Sequence, residues 1–436
     1  MEILESFWEN FRHNLFKPLL LFFYMGFLVP ILRVEFEFPY VIYQGLTIYL
    51  LVSIGWHGGE ELAKIFDPTV VAAEGASADP HLISHAAGFM VVGFITNFII
   101  GCIAYFMLRG ATRLRRIDCA TVAGYYGSDS AGTFVTCLGV LTAGTIVNGV
   151  HMAIPYEKYM PVMLAVMEVP GCLVALFLVS RLRIKGMDRL GNMPDEPGYN
   201  PTVAVPVADR HGHHGSHTTD SQAVELEKEM ALERLEHDDG NGNGNGNGNG
   251  TPPKPPGIFS PKLLHEVFLN PGLFLLFGGI LIGFASRYQG EEVSKVDDPL
   301  FNNLFQGMLC LFLLEMGMTA SKRLRDLKTA GWPFIAFGIL APNIFATLGM
   351  CVCHLYGSLI GYQFQLGTYA LFAVLCAAAS YIAVPAVQRL AIPEASPTLP
   401  LAASLGLTFS YNVTIGIPVY LEIAKLLISK FPITAA

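Results

Sequence analysis

The sequence predicts an all-α polytopic membrane protein of ten transmembrane helices, built as two inverted five-helix repeats with a broken helix in each. Three observations carry that expectation. Of 436 residues, 52% are hydrophobic and only 14% charged, where a soluble domain carries about 25% charged residues. Apolar runs long enough to cross a hydrocarbon core of roughly 30 Å recur along the chain. The two halves also share a pattern. PYVIYQGLTIYLLVSIGWHGGEEL begins at Pro39 and PLFNNLFQGMLCLFLLEMGMTASKRL at Pro299, each a proline, a QG pair, an apolar run and a glycine-containing, charged end.

The spans fall near 15–32, 40–56, 83–108, 118–147 and 158–180 in the first half, and near 268–286, 300–318, 331–356, 366–387 and 397–428 in the second. Equivalent spans are five apart, so the repeats cross the bilayer in opposite senses. The first span follows Glu2, Glu5, Glu9 and Arg12 and has no small-residue cleavage site, which predicts a retained helix rather than a removed signal peptide. Three regions result: a first membrane repeat over 1–186, a cytoplasmic linker over 187–262 and a second repeat over 263–436. The linker runs through HGHHGSH, GNGNGNGNGNG and TPPKPPG, compositions that bury no core and predict disorder. One part differs. Thr219 and Gln222 have capping-box spacing, and 221–237 is dense in Glu, Leu, Ala and Met, predicting a short charged helix.

Short-loop cations set the orientation. Arg109, Arg113, Arg115 and Arg116 follow the third span, Arg181, Arg183, Lys185 and Arg189 the fifth, and Lys322, Arg323, Arg325 and Lys328 the seventh. All three loops fall on one side, assigned to the cytoplasm, which leaves both termini and the His57–His85 loop outside; Lys425 and Lys430 near the outer end are outnumbered. The formal net charge of −8 opposes a nucleic-acid partner. The eight cysteines lie in or beside apolar spans without CxxC spacing and read as small buried hydrophobes. No HExxH, GxSxG or phosphate-loop motif occurs, so neither enzymatic activity nor an organic cofactor is expected.

Two stretches carry the chemistry. In ATVAGYYGSDSAGTFVTCLGVL, Gly127, Ser128, Asp129, Ser130, Gly132 and Thr133 sit in mid-span, where an unpaired backbone group costs several kcal/mol. Ser and Asp cap helix N-termini, so a second half-helix can start here with free N–H groups and a partial positive charge that suit a small anion. Small residues would also permit close helix packing, but they do not explain a carboxylate at mid-depth. The counterpart is LCAAASYIAVPAVQRLAIPEASP. There Pro385 removes a donor and frees the Tyr381 carbonyl, a cation ligand, while Ala379, Ser380 and Tyr381 offer N–H groups and hydroxyls to an anion. A kink without ligand role is the alternative. Read in parallel, Ser130 stands opposite Ser380.

Three further mid-membrane polar residues need partners: Glu168 in MEVPG, Glu315 in LLEMGM and Asn412 in FSYNVTIG. Glu168 is the stronger cation ligand. Glu315 reads either as a ligand or as an ion pair with Arg323, and Asn412 as a ligand or a bridge between helices. Asp129 has three readings: a helix cap, a ligand of the coupling cation, or a protonated acid, with the cation role favoured.

With GSDSAGTF, MEVPG, AAASYIAVPAVQRLAIPEASPT and LTFSYNVTIGIPVY on the page, the sequence resembles the cyanobacterial SbtA family of sodium-dependent bicarbonate transporters. The resemblance covers both membrane halves and excludes the linker. It implies a homotrimer of ten-helix subunits with gate and core domains, uptake of bicarbonate with sodium as coupling ion, and inhibition by a PII-like cytoplasmic protein. It also implies an anion site at Ser128, Ser130, Thr133, Ala379, Ser380 and Tyr381. The family has an apolar residue where this chain has Asp129, and the Gly-Asn linker is atypical. The resulting expectation is a sodium-coupled bicarbonate transporter of a bacterial plasma membrane, with Asp129, Glu168, Glu315 and Asn412 as cation ligands. Rival readings are a cation-coupled carrier of a small organic acid and a membrane receptor without flux.

Overall fold

The computed structural model describes residues 16, 18–65, 82–147, 150–188, 190–199, 271–297, 299–324, 327, 331–381, 384, 385, 388 and 391–433. The His cluster at 211–217, the expected helix over 221–237, the Gly-Asn run and the acidic residues ahead of the first span lie outside these residues. The first half comprises α1 (Pro18–Leu32), α2 (Tyr40–Ile65), α3 (Leu82–Ala111), α4 (Arg116–Tyr126), α5 (Ala131–Ala143), a hairpin of β1 (Thr145–Val147) and β2 (Val150–Met152), and α6 (Met160–Ile184). The second comprises α7 (Pro271–Tyr288), the short α8 (Glu291–Lys295), α9 (Phe305–Arg323), α10 (Trp332–Ile360), α11 (Leu366–Ala377) and α12 (Thr398–Lys430). A π-helical turn over Pro299–Asn303 leads into α9. The hairpin pairs Thr145 with Met152 in antiparallel register.

Six helices among the described residues, α3, α6, α7, α9 with its lead-in, α10 and α12, are long and apolar enough to cross a membrane, and α1 and α11 are shorter apolar helices. This is the pattern of a polytopic integral membrane protein. The second helix departs from expectation: it runs to Ile65 rather than stopping near residue 56, so the first residues of the expected outer loop are helical. The cause is its packing. A Cβ on Gly55 or Gly59 would overlap the carbonyls of Leu276 and Ile280 on α7, and one on Gly279 or Gly283 would overlap those of Val52 and Trp56 on α2. Two GxxxG faces thus let the backbones touch where lipid supplies no hydrophobic drive for association. Gly26 of α1 against Leu314, and Gly317 of α9 against Phe23, repeat the arrangement.

Helices α1, α2, α7 and α9 pack mainly on one another, and α3 to α6 pack with α10 to α12. Within the second group Phe89 stacks on Phe364 and Phe372 with ring centroids 4.9 and 4.6 Å apart. At one end, charges tie the start of α4 to the end of α6 and the start of α12. Arg115 meets Asp118 at 2.8 Å, Asp118 accepts the Ser396 N–H at 2.9 Å, and Arg183 meets Glu394 at 2.9 Å. Residues 190–199, expected as the start of the disordered linker, pack here instead. Their acids satisfy free N–H groups: Glu196 accepts from Arg116 and Met193, both at 2.8 Å, while Met187 and Met193 are buried beside Ile117 and Val179. None of the eight cysteines forms a disulfide, and five are buried, as a small-hydrophobe role requires.

Candidate ion-binding site

The helix expected over 118–147 breaks at Gly127–Ser130. Gly127 sits where a Cβ would lie 3.0 Å from the Cα of Gly101 and 3.2 Å from that of Gly171, so α3 and α6 press on the break itself. Ser130 has extended backbone, φ −139° and ψ 114°, and its hydroxyl accepts the Thr133 N–H at 3.4 Å, making it the N-cap of α5. Ser128 donates to the Glu168 carbonyl at 2.7 Å. The second break begins after Ala377 with extended Ala378, ψ 169°. Ser380 donates its N–H to the Tyr125 carbonyl at 2.9 Å, so the extended segment of one break bonds to the last turn of the half-helix entering the other. The Ser380 hydroxyl accepts the Val384 N–H at 3.4 Å, as Ser130 does for α5.

Where the breaks meet lies a cleft lined by Ser130, Ala131, Ser380, Tyr381 and Glu168, faced by Leu51 of α2 and Gly272 of α7. The expected pair Ser130 and Ser380 therefore shares one cavity, and Glu168 joins them. Beside the cleft, Asp129 is fully buried and neither carboxylate oxygen has a hydrogen-bond partner; the Thr133 and Tyr381 hydroxyls are also buried without one. Each such group costs roughly 1–3 kcal/mol when buried unpaired, more when charged, so together they form a donor-and-acceptor set with the chemistry to hold an ion. Asp129 lies within electrostatic reach of Glu168.

The other expected ligands stand differently. Ser128 has its hydroxyl taken up by the Glu168 carbonyl, and Ala379 is buried in the extended segment. Asn412 donates to the Ala377 carbonyl at 3.1 Å and accepts from Tyr420 at 2.7 Å, which satisfies the end of α11 and makes it a bridge between helices. It sits in a π-helical stretch of α12, Asn412–Gly416, whose wide turn turns the amide toward that end. Glu315 accepts from Thr319 at 2.9 Å, keeps its other oxygen buried without a partner, and lies outside the cleft lining. The capping role considered for Asp129 is filled by Ser130.

Sequence reasoning missed Gln388, which donates to the Thr121 carbonyl at 3.0 Å, and Thr408, which meets the Tyr126 hydroxyl at 2.6 Å and donates to the Gly338 carbonyl at 2.9 Å. A polar residue inside an apolar run was their only signal. It also missed Glu157, in the connection between β2 and α6. This buried acid accepts the Gln365 N–H at 3.1 Å, the Tyr362 hydroxyl at 3.3 Å and the Thr368 hydroxyl, and donates its own N–H to Thr368 at 2.8 Å. It caps α11 from outside the helix, and burial pushes its carboxyl up to about 7.

No curated protein matches this chain. The sequence pattern of the Na+-dependent bicarbonate transporter superfamily, in contrast, matches residues 18–425, both membrane halves with the segment between them. Two helix breaks crossing at a buried, hydroxyl-lined cleft fit a carrier of small ions, and the chain belongs to the Na+-dependent bicarbonate transporter superfamily.

Proposed function

We propose that this protein takes up bicarbonate together with sodium as an alternating-access secondary transporter. The observation that carries this reading is the cleft in which the Ser130, Ser380 and Tyr381 residues meet Glu168, beside the unpartnered carboxylate of Asp129. Hydroxyls and the first turn of α5 suit an anion, and two buried acids suit a cation. Neither ion is sufficient alone. An anion about 4 Å from an ionised carboxylate is repelled by roughly 4 kcal/mol at an effective dielectric of 20, a term that a sodium ion between them removes. The same pairing matters electrically, since a lone anion entering an inside-negative cell works against about 2.3 kcal/mol per 100 mV and a co-bound sodium cancels that. Ser130, Thr133, Ser380 and Tyr381 are assigned to the anion, and Asp129 and Glu168 to sodium. Ser128, Ala379 and Asn412 hold the breaks in shape, and Glu315 stays on the opposing helix group.

The two halves act as inverted repeats within a ten-helix unit. Reciprocal packing supports this: α1 lies on α9 and α2 on α7, a helix of each half against the counterpart of its neighbour. In the same reading α1, α2, α7 and α9 form the gate, and the remaining helices form the core that carries the ions. Gly272, at the start of α7, lines the cleft. At the end away from the linker, gate and core are held together by Lys158 with Glu61 at 3.7 Å and by Pro161 against Gly58. With the linker assigned to the cytoplasm and the termini to the outside of a bacterial plasma membrane, that contact lies on the outer side, which supports reading the arrangement as inward-facing. The family resemblance extends the proposal to a homotrimer with a PII-like regulator at the cytoplasmic face.

Uptake of labelled bicarbonate into proteoliposomes tests the reading. An inward sodium gradient should drive accumulation above equilibrium. Binding without flux would mark a receptor, and accumulation indifferent to sodium would refute the coupling.

A further inference from the structure

Gly132, in the first turn of α5, has no room for any side chain. A Cβ there would overlap the Tyr381 hydroxyl and lie 3.1 and 3.3 Å from two ring atoms of Phe312. The phenol oxygen of Tyr381 and the Phe312 ring, brought by α9 of the other group, therefore both close on the first turn of α5. Its own ring is fixed from behind, edge-on to Phe409 at 5.4 Å and 75°. Phe312 is fixed as well: it is 2% exposed and stacks on Tyr43 of α2 at 6.0 Å and 16°. The wall beside the hydroxyl cluster is thus a rigid two-ring stack supplied by α2 and α9, and Tyr381 offers its unpartnered hydroxyl against that wall.

We propose that Phe312, braced by Tyr43, is the specificity-determining residue of the anion site, limiting it to an anion the size of bicarbonate by closing the space over Gly132 and Tyr381. This deepens the transport reading and rests on it. The wall is apolar and makes no hydrogen bond to the anion, so it selects by volume, whereas the hydroxyls select by charge. Truncating the ring leaves a phenyl-shaped space next to an anion-binding helix end, and an aromatic carboxylate has the shape to fill it. In a fitted apolar pocket one methylene is worth about ten- to two-hundredfold in discrimination, so loss of a whole ring has a large readable effect.

The test is competition of benzoate and propionate against labelled bicarbonate uptake in proteoliposomes. Benzoate should leave the wild-type carrier unaffected at concentrations that inhibit Phe312→Ala, with the inhibition constant falling at least tenfold. Propionate should follow with a smaller change, and Tyr43→Ala should show the same trend more weakly. Phe312→Val shortens the wall with less loss of packing and is read in the same way if Phe312→Ala yields no folded carrier. Unchanged exclusion of both acids in Phe312→Ala or Phe312→Val, with bicarbonate still carried, would overturn the proposal. A wild-type protein that carries no bicarbonate overturns instead the transport reading beneath it.

Discussion

The break between α4 and α5 carries one acid, Asp129, and packs against a second, Glu168, whereas the break after α11 carries none and is met by Tyr381 and Asn412. In backbone terms the two are alike. Each ends a half-helix, each places a serine whose hydroxyl accepts an N–H of the following turn, and both serines line the same cleft. The difference is charge: one side of the cleft carries two buried acids and the other only neutral donors, the contrast on which the proposed division between cation and anion rests. The entrances differ in the same sense. The start of α4 is held by the Arg115–Asp118 ion pair, and the start of α11 by Glu157, which accepts from neutral donors.

The packing around the breaks is the harshest test of this contrast. A Cβ at Gly171 would overlap the Gly124 carbonyl and lie 2.6 Å from the Ser128 Cβ, whereas one at Gly349, beside the second broken helix, would meet side chains and no backbone among its nearest atoms, with the Cys376 sulfur at 2.6 Å and the Phe372 ring at 3.6 Å. Gly171→Ala should therefore abolish monodisperse protein in size-exclusion chromatography, while Gly349→Ala should cost about 1–3 kcal/mol and remain folded. Equal tolerance at both sites would show that the first break is no more constrained than the second.

The entrance prediction concerns pH. The Glu157 carboxyl is raised to about 7 from 4.5 by burial, so the folded state binds its proton more tightly than the unfolded one. Its contribution is complete below about 4.5 and is lost as pH rises to about 7, a change on the order of 3 kcal/mol. Thermal unfolding in detergent should show this decline, and Glu157→Gln should flatten it over that window. A variant with the wild-type slope would mean another group is responsible.

Within the cleft, Ser130→Ala and Ser380→Ala should each weaken apparent bicarbonate affinity at least tenfold, because a hydroxyl bonded to a charged ligand is worth roughly 1.5–3 kcal/mol. Wild-type affinity in both would remove the cleft from the anion's path. The smallest effect is expected at Asn412→Ala. It leaves the Ala377 carbonyl unpaired, costing about 1–3 kcal/mol of stability, yet should change the sodium requirement less than twofold, which uptake titrations can read.

The six membrane-length helices found among the described residues were legible because apolar length is a one-dimensional property, and the two breaks were legible because Gly127, Asp129 and Pro385 contradict an apolar helix in the sequence itself. The end of α2 was not. GWHGGEEL reads as a loop until Gly55 and Gly59 are seen against α7, a contact between residues more than two hundred apart in the chain. Residues 190–199 were likewise misread, because Glu196 acts through N–H groups that only the fold brings near it. At the site, Ser130, Ser380, Tyr381 and Glu168 came from local pattern and meet in one cleft. Phe312 and Gly132 did not, since a phenylalanine in an apolar helix carries no sign of what its ring covers. Asn412 stood out as polar, but only its bond to Ala377 tells a helix end from an ion ligand.

In the proposed function Asp129, the acid of the first break, serves the cation rather than the anion. The measurement that tests it most directly is bicarbonate uptake as a function of sodium concentration in wild type and Asp129→Val, at matched protein and saturating bicarbonate. With Asp129 as a sodium ligand, the sodium concentration for half-maximal uptake should rise at least tenfold in the variant, while bicarbonate affinity measured at saturating sodium stays within about threefold of wild type, given that a charge-assisted contact is worth roughly 1.5–3 kcal/mol. An unchanged sodium requirement, or a bicarbonate affinity that improves sharply once the carboxylate is gone, would contradict it.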